Sequence, residues 1–321
     1  MIKTFLKLPF LLLVILWADY SFAQKTLIYS DPYKSYKTAQ ELFDKEKYSS
    51  AQYYFKEVIN KFDNPQDEIR INAEYYFAVC ALKLYHRNVE TILTRFALDH
   101  PDHPKSKNIY FQLGKHYYQT KKFKKSIEFF EKVDQYDLSK SDQNEYLFKL
   151  GYSKFMKKNL DESKVLFNEL LQRKTDYEIP TTYYYSHIAY SEGKYQTALE
   201  GFRKISRNKM FKPIIPYYIT QILYQQSKYD ELISYAPSYM DSITEKRKGE
   251  FAKLIADSYF KNKNFKTSLS YYKIFKKYAK SSRESNYQVA YCYYKTKDLR
   301  KAIELFSRVA YKEDSLSQIC Y

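Results

Sequence analysis

Apolar and polar positions along this 321-residue chain follow one beat that returns about every 34 to 37 residues. Its second half reads small–x–x–x–aromatic–x–x–large apolar. It occurs as Ala51, Phe55, Val58; Ser126, Phe130, Val133; Ser163, Phe167, Leu170; and Ala198, Phe202, Ile205. It returns as Ser268, Tyr272, Phe275 and as Ala302, Phe306, Val309. Steps of four and three place such a trio on one face of a helix. A fixed period of this size signals one helical hairpin copied along the chain, and it predicts an all-α solenoid, helical from about residue 33 and without sheet. A hairpin alone exposes an apolar face, and stacked neighbours bury it into a continuous core.

With the small residue set at position 20 of a 34-residue unit, about eight hairpins emerge. They span 32–65, 107–140, 144–177, 179–212, 213–246, 249–282 and 283–316, with an irregular one at about 68–105. Position 17 then carries Tyr48, Phe123, Leu160, Tyr195, Tyr229, Phe265 and Leu299. Turn formers or charges precede it, as in Lys157-Lys158-Asn159, Glu192-Gly193-Lys194 and Asn262-Lys263-Asn264. Position 8 holds Ala39, Gly114, Gly151, Ser186, Thr220, Ala256 and Ala290, small enough for two helices to approach closely.

These combined landmarks resemble the tetratricopeptide repeat family over nearly all of residues 32–316. The best-matching copies run from Leu113-Gly114 to Phe130 and from Leu150-Gly151 to Phe167. The resemblance implies a right-handed superhelix and a non-catalytic binding role. Departures occur in the second unit, around Val89, Leu93, Phe96 and Pro101, and in the sixth. There Leu232 and Ala236 stand where small and large are expected, so inverted or loosened packing is predicted.

The first 23 residues read as a signal peptide. Lys3 and Lys7 precede the mostly apolar run Leu8–Ala18, and Ser21-Phe22-Ala23 offers a small–x–small cleavage site before Gln24. The solenoid is then residues 24–321, exported to the periplasm, and the absence of Cys at 24 argues against a lipoprotein. Leu316–Tyr321 reads like the opening of another helix with no polar cap, so the solenoid is expected to continue beyond residue 321.

Charge changes this picture little. Lys and Arg number 54 against 37 Asp and Glu, a formal +17 that becomes +16 without Lys3, Lys7 and Asp19. The lysines alternate with acids and no nucleic-acid motif is present, so a solvated basic surface is the expected reading, with no nucleic-acid partner. Cys80 and Cys292 fall in apolar stretches and are expected to be buried and unpaired. Five glycines leave no phosphate loop, and no nucleophile sits in a strained turn. His100-Pro101-Asp102-His103 is read as a turn between units, not a metal site. No enzyme activity, cofactor or metal is expected.

In the family it resembles, the first helix of each hairpin lines the inner surface through positions 2, 5, 9 and 12. Carried onto this chain, those positions give Phe111, Tyr118, Phe148, Tyr152, Phe155, Tyr183, Tyr190, Tyr217, Tyr224, Phe260, Tyr287, Tyr291 and Tyr294. Rings in such numbers suit contact with a protein or peptide segment, although aromatic stripes at helical spacing are also common in cores. The family's carboxylate-gripping pattern needs Asn at position 9, where Lys115, Tyr152 and His187 stand here. The chain also looks like the large exported repeat proteins of the Bacteroidetes, which implies a scaffold in the cell envelope, with outer-membrane components among its partners. A periplasmic sensor region, the non-catalytic part of a larger enzyme and a glycan-binding solenoid are the alternatives. A downstream membrane helix, a downstream catalytic domain or a lipidated Cys, respectively, would favour each.

Overall fold

The computed structural model describes residues 31–321, so the signal-peptide reading of residues 1–23 lies outside the described residues. The described chain is an all-α solenoid with no strand. It divides into two compact units, up to Lys157 and from Lys158 onward. The first holds α1 (Pro32–Asp44), α2 (Tyr48–Lys61), α3 (Glu68–Lys83), α4 (Val89–Asp99), the one-turn α5 (Pro104–Lys107), α6 (Ile109–Gln119), α7 (Phe123–Phe130) and α8 (Lys140–Met156). The second holds α9 (Leu160–Leu171), α10 (Glu178–Ser191), α11 (Tyr195–Ile205), α12 (Ile215–Gln225), α13 (Tyr229–Tyr235), α14 (Glu245–Lys261), α15 (Phe265–Tyr278), α16 (Arg283–Lys295), α17 (Leu299–Val309) and α18 (Ser315–Cys320).

The turn inside each hairpin is built by one residue in the left-handed region. Glu46, Tyr85, Lys121, Lys158, Ser227, Lys263 and Lys297 take φ between 56° and 65°, and Gly193 takes 74°. Around Lys121 the next amide, of Lys122, reaches back to the Tyr117 carbonyl (2.8 Å), while the Lys121 amide bonds Tyr118 (3.0 Å). This paired bonding satisfies the last carbonyls of the first helix, and it recurs at 227–228, 263–264 and 297–298. The second helix usually starts two residues after the left-handed position. After Tyr85 it starts at Val89, and those two extra residues are the irregularity of the second unit.

Position 8 is small because the facing ring leaves no room. A Cβ on Gly114 would fall 2.5 Å from the Phe130 ring. Serine at position 20 adds a bond across the hairpin: Ser126 Oγ donates to the Gly114 carbonyl (3.0 Å) and Ser268 Oγ to that of Ala256 (2.8 Å). Phe55, Phe130, Phe167, Phe202 and Tyr272 are all buried. Each contributes roughly 2–3 kcal/mol at about 25 cal/mol per Å² of apolar burial.

In the sixth hairpin α13 has only seven residues and passes into a 3₁₀ turn, Ala236–Tyr239, containing Pro237. Leu232 and Ala236 are both fully buried, so the small and large roles are exchanged there. Cys80 and Cys292 are buried free thiols, pushed up to about 12 and about 11 by burial; Cys320 is also free. His100 Nε2 lies 2.7 Å from the Glu74 carboxylate, and His103 Nδ1 accepts from the Lys105 amide at the start of α5. Among the described residues no group of three or more His, Cys, Asp or Glu is placed to hold a metal ion, and no helix is long and apolar enough to cross a membrane.

Candidate protein-interaction site

The predicted first-helix rings do not share one environment. In the first unit Phe111 on α6 and Phe148 on α8 are buried and belong to the core, not to a contact surface. Phe111 packs 6.1 Å from Phe130. Tyr118 and Tyr152 meet edge to face at 5.5 Å, with Phe123 against Tyr152 at 5.7 Å. Phe155 is half-buried. Beside them Lys115 (2.9 Å) and Lys149 grip Glu145. Burial pushes that carboxyl up, but the two ammonium groups outweigh it and hold it below its ordinary value.

In the second unit the rings of α10 and α12 are closed by polar partners. Tyr183 stacks on Phe211 at 4.4 Å. Tyr217 is buried and its hydroxyl donates to Glu250 (2.6 Å). Gln221 Nε2 donates to the Tyr217 oxygen (2.8 Å) and to Glu250 (3.1 Å), while its carbonyl accepts from Tyr190 (2.9 Å). The Arg247 guanidinium covers Tyr217 and Tyr218 at 4.9 and 5.2 Å, and His187 Nε2 lies 3.1 Å from the Tyr218 hydroxyl. Burial, with a further contribution from Glu250, drives the Tyr217 phenol well above its ordinary value, and burial followed by Arg247 pushes His187 down. Tyr224 is half-buried against Tyr229 (5.6 Å) and is pushed up to about 12, chiefly by burial. Tyr183, Tyr190 and Tyr224 all pack against the buried cluster centred on Phe202 and Ile219.

The end of the stripe is open. Phe260 on α14, Phe265 on α15 and Tyr291 on α16 form a triangle with centroids 5.5–5.7 Å apart. Tyr287 and Tyr294 each lie 6.2 Å from Tyr291, and Tyr294 is 50% exposed. A cleft of about 610 Å³ opens here, lined by Phe260, Lys261, Lys263, Phe265, Tyr287, Tyr291 and Lys295. That volume falls within the usual range for a binding cleft. Lys295 Nζ sits 5.3 Å from the rings of both Tyr291 and Tyr294. The site combines an aromatic floor with an ammonium rim. The sequence reading named its rings Phe260, Tyr287 and Tyr291 but missed Phe265, which it took as a packing landmark, and all three lysines. The available signal was lysine at positions 13 and 15, in the turn just beyond the stripe.

The tetratricopeptide repeat family model matches residues 284–313, the hairpin of α16 and α17, whose α16 lines one side of this cleft. Among curated proteins none matches the chain. Solved structures give distant likenesses. A tetratricopeptide repeat protein from Parabacteroides merdae is 10% identical over 81% of this chain and 99% of its own, with a TM-score of 0.45. PilF from Pseudomonas aeruginosa is 15% identical over 66% and 95%, with a TM-score of 0.46. MamA of AMB-1 is 15% identical over 54% and 98%, with a TM-score of 0.47.

Proposed function

We propose that this chain is an exported scaffold that holds a partner protein in the bacterial cell envelope through the rings at the end of its first-helix stripe. One observation carries the reading. Phe260, Phe265, Tyr287 and Tyr291 line an open cleft, whereas the stripe's earlier rings Phe111, Phe148 and Tyr217 are buried. Half-exposed tyrosines give large contact area at small entropic cost, and such residues dominate binding energy at protein interfaces. The signal-like order of residues 1–23 supports export to the periplasm, where outer-membrane components become available as partners.

A photo-crosslinking residue placed at Tyr294, with a control at Tyr136, tests this in cells. Tyr136 is 83% exposed and lies in the first unit, outside the cleft. Adducts should form with envelope proteins from position 294 only, and mass spectrometry of the exported chain should find Gln24 at its N-terminus. Equal adducts from both positions would remove the cleft from the account, and an intact Met1 would remove the export.

A further inference from the structure

The geometry points to a specific chemistry for the occupant, an inference that rests on the protein-binding reading above. We propose that the cleft between α14 and α16 takes an acidic peptide segment carrying an aromatic or large apolar side chain. Lys261, Lys263 and Lys295 all line it and no carboxylate does. Among the described residues none of the three makes an ion pair. The nearby acids are engaged elsewhere: Asp298 with Lys301 (2.6 Å), Asp257 with Lys253 (2.8 Å) and Asp230 with Asn262 (2.6 Å). Two of the lysines are also preplaced. Lys263 occupies the left-handed turn position, which fixes its backbone, and Lys295 rests beside two rings. The uncompensated positive rim therefore selects a negative ligand, and the Phe260–Phe265–Tyr291 triangle selects a flat or bulky apolar group beneath it.

Two other ligand classes fit less well. Sugar hydroxyls need acceptors, and no Asp, Glu, Asn or Gln side chain lines the cleft. A bilayer presents a flat plane of headgroups, whereas the rings here lie inside a concavity. A peptide can place one apolar side chain on the rings and carboxylates on the rim. The hydroxyls of Tyr287 and Tyr291 have no partner among the described residues and remain available as donors to its main chain. Burial pushes the Tyr287 phenol up, which keeps it protonated and able to donate.

Fluorescence anisotropy on the purified chain tests this with four labelled peptides: alternating Asp and Phe, Lys and Phe, Ser and Phe, and Asp and Ser. Phosphatidylglycerol vesicles serve as the lipid arm. The Asp–Phe peptide should bind best, and added salt should weaken it. Lys261→Gln, Lys263→Asn and Lys295→Gln combined should weaken it by about tenfold, as expected for three exposed charge pairs. All three replacements are at exposed positions, and an unchanged circular dichroism spectrum confirms that the variant is folded. The triple Lys→Glu variant should instead prefer the Lys–Phe peptide. If the Ser–Phe peptide binds as tightly and the lysine variants change nothing, the acidic preference is wrong while the aromatic protein-binding site stands. Lysine-dependent binding of vesicles without binding of the Asp–Phe peptide would make the occupant a lipid surface and overturn the proposal. If no peptide binds and crosslinking at Tyr294 also fails, both readings fall together.

Discussion

Two stretches of the same aromatic stripe, both in the second unit, have opposite fates. Around Tyr183, Tyr190 and Tyr217 the hydroxyls and ring faces meet Gln221, Glu250, Arg247 and neighbouring rings, so the stripe is a sealed part of the core. Around Tyr287, Tyr291 and Tyr294 the same helical positions carry rings with no polar closure, rimmed by lysines. Positions 5 and 12 carry rings in both, whereas position 9 holds His187 and Gln221 in the sealed stretch and Tyr291 in the open one. The neighbouring first helix also separates them: α14 supplies Arg247 and Glu250 to the sealed stretch. The open stretch receives Phe260, Lys261 and Lys263 from the other end of that helix and the turn after it. On the proposed reading, the repeat that serves as a binding site is the one whose neighbour offers an ammonium rim and leaves the tyrosine hydroxyls unengaged.

The largest contrast is expected from ring deletion. Tyr217→Ala removes a buried ring and should cost about 3–5 kcal/mol in denaturant melts. Tyr294→Ala, at a half-exposed position, should stay within about 0.5 kcal/mol. Similar losses at the two sites would show that both stretches are core. Next, Glu250→Ala leaves the Tyr217 hydroxyl without its acceptor and removes one of the two acceptors of the Gln221 amide, and should cost about 1–3 kcal/mol. A neutral result would mean that the polar seal contributes nothing.

Mild acidity should distinguish the two stretches, because only the sealed one contains a histidine. His187 is held below the ordinary imidazole value of 6.5 by burial and then Arg247, so the unfolded chain binds its proton first. Its contribution to stability is present at neutral pH and should be lost as pH falls from 6.5 through the lower folded value. His187→Gln should flatten that limb of the stability curve, and an unchanged limb would remove His187 as its cause. The smallest effect concerns the turns. Lys263→Gly and Ser227→Gly relieve a non-glycine left-handed backbone and should each stabilise by up to about 1 kcal/mol in melts. Only the Lys263 change should also weaken binding of the acidic peptide.

Much of the architecture is legible in the sequence alone. The small residue at 20, the aromatic at 24 and the small residue at 8 predicted the hairpins because each reports a contact within a single repeat, as Gly114 against Phe130 shows. The swapped roles of Leu232 and Ala236 were legible for the same reason. Several of the turns were placed too, but their left-handed backbone was not announced, because Glu46, Tyr85, Ser227 and four lysines stand where only Gly193 is a glycine. The division of the stripe was hidden more deeply. Tyr217 meets Glu250 33 positions later, in the next repeat, and periodicity within one repeat carries no information about that pairing. Thirteen rings at equivalent positions therefore read alike, although Phe111, Phe148 and Tyr217 are core and Tyr294 is surface.

Tyrosine nitration followed by peptide mass spectrometry tests the central contrast most directly, because it reads ring access and phenolate formation together. Among the tyrosines of the stripe, Tyr294 should be nitrated first, with Tyr291 and Tyr287 behind it and all three protected by the Asp–Phe peptide. Tyr217 and Tyr218, each only 8% exposed, should stay unmodified until the chain unfolds. Modification of Tyr217 as fast as Tyr294 in the folded chain would contradict the division of the stripe into core and binding cleft.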